Sequence, residues 1–126
     1  MVTRSSPVDN IEALAQAYWT MTGRSLANTA KTLTKPAQAG KRHYLTSYLV
    51  WIDDAASAQD VTIEIRDGAL TIWEDTIGNA ALRGTRVGMN WGNPGIELSS
   101  GSDLSIVVGA GGASVVTVVN MTGYTL

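Results

Sequence analysis

Between Val61 and Gly68 the chain declares β structure: Val61, Ile63 and Ile65 alternate with Thr62, Glu64 and Arg66, and the run stops at Asp67-Gly68. Alternation at period two sends the apolar side chains to one face of a strand and the polar ones to the other. Asp-Gly is favoured where a tight hairpin needs positive φ. Leu70 and Ile72, with the flanking Thr71 and Trp73, supply the return strand.

The rest of the chain repeats this punctuation. Thr29 to Lys35 alternates weakly and stops at the turn Pro36 to Gly40. His43 to Ile52 is the longest strand candidate, with Leu45, Ser47, Leu49 and Trp51 on one face and Tyr44, Tyr48, Val50 and Ile52 on the other. Both faces are apolar enough that one is expected to meet another element or subunit. After the connection Asp53 to Asp60, the hairpin and a long loop from Ile77 to Thr85 come strands at Arg86 to Trp91, Ile96 to Leu98, Asp103 to Gly109 and Ser114 to Tyr124. The turns between them are Gly92 to Gly95, Ser99 to Ser102 and Ala110 to Ala113. About eight strands with turn signals every ~8 to 12 residues predict an all-β domain, a jelly-roll-like β-sandwich of antiparallel strands. Thirteen glycines and only 16% charged residues suit short strands and tight turns better than a helical bundle.

One segment breaks the pattern. From Val8 to Trp19, Ile11, Leu14, Ala15 and Tyr18 recur at i, i+3, i+4 and i+7, with Asp9 or Asn10 as N-cap, which predicts a helix of about three turns. A helix this short needs a partner surface. Met21 to Asn28 reads as a linker, so the expected organisation is an arm over residues 1–27 and a sandwich over residues 28–126.

Bulk properties close off several functions. At 126 residues the chain suits one domain, and without cysteine it has no disulfide, thiolate metal site or thiol nucleophile. A net charge of −2 provides no basic field for nucleic acid. No apolar run approaches the ~20 residues of a membrane helix, and Met1 to Pro7 lacks a signal peptide's apolar stretch, so the expectation is an unexported protein without membrane partners.

The residues give catalysis little purchase. His43 is the sole histidine, follows Lys41-Arg42, and is expected at a surface or interface. Asp53, Asp54 and Asp60 are hard-cation donors by type, but their spacing matches no calcium loop. Glu64, Asp67, Glu74 and Asp75 are carboxylates of the kind glycosidases use in pairs, although a cross-strand ion pair with Arg66 explains Glu64 and Glu74 equally. Gly109-Ala110-Gly111-Gly112 lacks the Lys-Ser/Thr and helix of a phosphate loop and reads as a hairpin turn. The sequence therefore predicts no catalytic, cofactor-binding or metal residues. Trp51, Trp73 and Trp91 with Tyr44 and Tyr48 serve either core and interface packing or, as Trp73 or Trp91, a sugar-stacking platform. The expected interface residues are Ile11, Leu14, Tyr18, Trp19, Tyr44, Tyr48 and Trp91.

Ala39-Gly40-Lys41-Arg42-His43-Tyr44-Leu45-Thr46, Ala58 to Asp67 with its Arg66-Asp67-Gly68 turn, Thr71-Ile72-Trp73, Asp103-Leu104-Ser105-Ile106 and Gly123-Tyr124 resemble, in the same order, motifs of small tailed-bacteriophage virion proteins. The resemblance spans about residues 22–126. It implies a jelly-roll β-sandwich with a structural, non-enzymatic role: a capsid decoration (cement) protein that binds the major capsid protein or another virion protein. The implied location is the virion, assembled in the bacterial cytoplasm, and the implied state is a homo-oligomer, a trimer being expected. The alternative is a carbohydrate- or receptor-binding module of a tail or fibre.

Overall fold

A computed structural model describes residues 17–126, and nine strands account for the regular structure there: β1 (Tyr18–Arg24), β2 (Lys31–Lys35), β3 (His43–Asp53), β4 (Val61–Asp67), β5 (Leu70–Ile77), β6 (Arg86–Asn90), β7 (Ile96–Glu97), β8 (Leu104–Val108) and β9 (Val116–Thr125). They form two antiparallel sheets packed as a β-sandwich. One runs β1-β9-β3-β6, with β7 also paired to β3; the other runs β2-β8-β4-β5.

The core is what the alternation demands. Val61, Ile63 and Ile65 of β4 and Leu104, Ile106 and Val108 of β8 are wholly buried, facing Leu45, Val50 and Ile52 of β3 and Val119 and Met121 of β9. Each buried aliphatic side chain contributes roughly 1.5–3 kcal/mol relative to exposure. The Asp67-Gly68 signal becomes a two-residue loop in which Gly68, at φ 59°, takes the left-handed position.

Three expectations change. Ile11, Leu14 and Ala15 of the predicted helix lie outside the described residues, but Tyr18 and Trp19 begin a strand, and the supposed linker continues it to Arg24. β1 pairs residue for residue with β9, so the sandwich starts at Tyr18 rather than at residue 28. Its exposed Thr20 and Thr22 alternate with the half-buried Trp19 and Met21, a period-two pattern overlaid by the helical spacing that ends on Tyr18.

The second change lies within β3. Its register against β9 shifts between Leu45 and Ser47, leaving Thr46 as a bulge residue. One extra residue reverses parity, so Leu45 faces the core together with Tyr48, Val50 and Ile52, not with Leu49 and Trp51. Thirdly, the glycines at 109–112 are not a hairpin turn: β8 and β9 belong to different sheets, and the loop crosses between them. A Cβ at Gly111 would lie 2.4 Å from Val115, so glycine is needed there for close packing.

Candidate interaction surface

The register across β1, β9, β3 and β6 fixes the outer face of the first sheet as a set of rows. Tyr18, Tyr124 and Tyr44 form the first, Thr20, Thr122, Ser47 and Asn90 the second, and Thr22, Asn120, Leu49 and Gly88 the third. None of these residues is charged. Charge returns in the fourth row, where Arg24 and Arg86 flank Val118 and Trp51, and at the β7 end of the first row, where Glu97 lies opposite Tyr44 and pairs with Arg42. Val116, Val118 and Tyr124 point outward yet are almost fully covered, Tyr124 between the rings of Tyr18 and Tyr44.

The tyrosine row is built by pairing. Tyr44 and Tyr124 stack with ring centroids 4.7 Å apart and planes within 5°, and Tyr18 lies 5.1 Å from Tyr124 on the other side. The loop between β6 and β7 curls over this row: Tyr124 donates to the Pro94 carbonyl at 2.8 Å, and Asn93 donates to the Tyr18 hydroxyl at 3.2 Å. Beside the row, Ser47, Leu49, Gly88, Asn90, Asn120 and Thr122 line a concavity of about 420 Å³. The side-chain Oδ1 of Asn120 is buried without a hydrogen-bond partner.

The other sheet's outer face differs. Its rows contain Glu64, Arg66 and Glu74, with Glu64 directly opposite Glu74 and bonded to Arg66 on its own strand. The expected cross-strand ion pair is thus an ion pair along β4. Two carboxylates side by side on an open face lack the flanking arrangement a glycosidase needs.

His43 is not at the surface; it is 1% exposed. It bonds the Pro36 carbonyl through Nε2 at 2.7 Å and Thr125 Oγ1 through Nδ1 at 2.7 Å, while the Trp19 indole N–H donates to the same Oγ1 at 3.0 Å. A carbonyl only accepts, so Nε2 carries the proton. The consistent chain for a neutral ring runs from Trp19 N–H to Thr125 O–H to His43 to Pro36, with every donor used. This histidine joins β1, β9 and β3 to the turn after β2.

The tryptophan cluster packs against the core, with Tyr48 buried and Trp73 and Trp91 half-buried. Tyr48, facing inward from β3, stacks on Trp91 at 5.7 Å, and Trp91 meets Trp73 edge-on at 5.3 Å. Tyr48 donates to Asp75 at 3.0 Å and accepts from the Trp73 N–H at 3.2 Å. Burial, aided by Asp75, pushes the Tyr48 phenol up to about 12. With Tyr48 stacked on Trp91 and Trp91 set against Trp73, these side chains are committed to packing against one another. Trp19, Tyr48 and Trp91 therefore lie on the inner side of the sandwich, whereas Tyr18 and Tyr44 stand on the outer face; Ile11 and Leu14 are outside the described residues.

Asp53 and Asp54 are held by arginine. Asp53 accepts from Arg24 at 3.0 Å and Arg83 at 2.8 Å, and Asp54 from Arg24 at 3.3 Å, whereas Asp60 caps the Asn79 amide. The Asp54 amide and the two guanidiniums bring the Asp53 carboxyl down to about 2. Among the described residues no three His, Cys, Asp or Glu side chains gather as a metal site would require. Asn120 was not singled out from the sequence, and Tyr124 entered only through the Gly123-Tyr124 motif and not as an interface residue; the recurrence of Met-Thr-Gly at residues 21–23 and 121–123, on paired strands, was the available signal. Comparison with known protein families, curated proteins and solved structures finds no match.

Proposed function

We propose that this protein is a non-enzymatic structural component of a bacteriophage virion, a decoration protein that binds the shell surface as an oligomer. The observation that carries the reading is the outer face of the β1-β9-β3-β6 sheet: three successive rows without a charged side chain on β1, β9, β3 or β6, edged by a tyrosine stack. A domain of this size that turns an ordered, partly aromatic sheet face with charge confined to its rim to solvent is suited to burying it on assembly. The strand order also supports reading the sandwich as a jelly roll, since strands one, nine, three and six lie in one sheet and two, eight, four and five in the other, with β7 a short addition. Co-sedimentation of the purified chain with undecorated phage shells is the test. Saturable binding lost in a Leu49→Lys variant is expected; equal sedimentation of both chains sinks the assignment of this face.

A second reading, a receptor- or glycan-binding module of a tail or fibre, draws support from the concavity beside the tyrosines. Its amides, hydroxyls and aliphatic groups are the neutral donors, acceptors and apolar surface that a sugar ring meets. The site of that reading is Asn90 and Asn120 rather than Trp73 or Trp91. Glycan-array binding lost in Asn120→Leu would favour it over decoration.

A further inference from the structure

We propose that β1 is a self-association edge: two copies of the chain pair their β1 strands antiparallel about a two-fold axis, joining two β1-β9-β3-β6 sheets into one. Five strands end the two sheets, β1, β6 and the short β7 in one, β2 and β5 in the other. Such strands carry unpaired N–H and C=O groups that template further pairing, and proteins blunt them with charge, bulges or brevity.

Four of the five are blunted, β7 by having only the two residues Ile96–Glu97. β2 has five residues with lysine at either end. β5 carries Glu74 and Asp75, and its register against β4 is broken between Ile65 and Arg66. β6 has five residues and opens on Arg86. β1 is different: Tyr18 to Gly23 contains no charge and no proline, and its register with β9 runs unbroken to Arg24. Among the described residues, no strand pairs with its other side.

The partner is a second copy because β1 is complementary to itself. On its paired side it meets β9 as Trp19 opposite Gly123, Thr20 opposite Thr122 and Met21 opposite Met121. The tripeptide Met121-Thr122-Gly123 that β9 offers occurs again as Met21-Thr22-Gly23 in β1 itself. Antiparallel pairing centred on Met21 therefore repeats the same three residue pairs on the free side: Trp19 opposite Gly23 of the second copy, Thr20 opposite Thr22, and Met21 opposite Met21. Glycine again stands where the indole needs room. The Lys31 stem now fills that room, its Cε 2.9 Å from where a Cβ on Gly23 would sit, so pairing requires this flexible side chain to swing aside. A two-fold contact of this kind closes on itself and yields a dimer, in place of the trimer that the virion resemblance implies.

The chain has no cysteine, so Met21→Cys introduces a single thiol whose counterpart across the axis is itself. Facing residues of antiparallel strands have Cα atoms about 4.5–5.5 Å apart, within disulfide reach. Sedimentation of the full chain should give a dimer, and oxidised Met21→Cys should run as a covalent dimer while a Thr62→Cys control does not. Thr20 and Thr22 are exposed, so the Thr20→Lys, Thr22→Lys double variant should melt like the parent yet associate at least about tenfold more weakly, because like charges then face each other. Thr20→Glu with Thr22→Lys sets opposite charges in register and should restore the dimer. Slower hydrogen exchange of the residue 18–24 amides at high than at low protein concentration gives the same answer without any substitution. A monomeric parent chain overturns the proposal, as does an oligomer that ignores the lysine pair and leaves Met21→Cys uncrosslinked. A β1 dimer that fails to bind shells leaves this pairing standing and removes only the virion reading.

Discussion

The two flanks of the sandwich close in different ways. Where β5 and β6 approach one another, Tyr48, Trp73, Trp91 and Asp75 fill the seam with stacked rings and mutually satisfied hydrogen bonds, and the bordering strand β5 is charged and bulged. Where β1 and β2 approach, the seam is closed by one indole and a buried histidine, and the bordering strand β1 is regular and uncharged from Tyr18 to Gly23. The first flank spends its aromatic groups inside the molecule. The second keeps a strand edge free. Aromatic content alone did not distinguish them; position relative to the sheet edges did.

The sharpest way to break this comparison is to remove His43, on the β1 side. His43→Ala leaves the Pro36 carbonyl without its donor, empties a buried site and uncouples three strands from the turn after β2, and should cost about 3 kcal/mol in urea unfolding. A loss below about 1 kcal/mol means that the chain of bonds does not hold this flank. On the other flank, Trp91→Ala removes the stacking partner of Tyr48 and the edge partner of Trp73; because Trp91 is only half-buried, a loss of about 2 kcal/mol is expected from the same measurement.

Tyr48→Phe is milder in neutral solution, about 1 kcal/mol, since the ring stays and only its two hydrogen bonds go. Its pH signature is the more telling one. The folded protein holds the Tyr48 phenol at about 12 against an ordinary 10.0, so it favours the protonated form, and that stability is complete below pH 10 and lost as pH rises through about 12. Thermal melts should show this alkaline loss in the parent chain and a shallower one in Tyr48→Phe. The smallest effect is expected at Asp53, a surface group. Its carboxyl sits at about 2 against an ordinary 3.8, so its contribution is present above pH 3.8 and disappears as pH falls through about 2. Asp53→Asn should flatten the acid limb in that window and leave the melting temperature at pH 7 within a degree or two.

Much of the fold was legible in the sequence because most strands have one buried face, and burial on one face writes alternation directly into the chain. The eight strands read from residue 28 onward correspond to β2 through β9. Alternation could not show where parity breaks: Thr46 is unremarkable by type, and only its position opposite β9 makes it the extra residue that turns Leu45 inward. Nor could it resolve β1, where helical spacing through Tyr18 competed with a short strand of threonines. His43 was misread because basic neighbours suggest a surface, whereas the bonds that bury it come from residues 7 and 82 positions away. The candidate surface was the least legible part. Tyr18, Tyr44 and Tyr124 are scattered through the chain and become one row only through pairing registers.

The strand order also imposes a timetable. β8 and β9, the last two strands in sequence, are inner members of the two sheets: β9 lies between β1 and β3, and β8 between β2 and β4. As the polypeptide emerges from the ribosome, β4 and β5 can zip together as soon as their shared turn is out. β3 can take up β6 and β7 on one side, but its other side and the whole of β1 and β2 must wait, backbone unpaired, for β9 and β8. Both sheets are therefore completed in one late step that joins distant parts of the chain, the kind of step that is slow and leaves strand edges open to neighbouring nascent chains. In that interval a neutral, regular β1 is the segment most able to find a copy of itself before it finds β9.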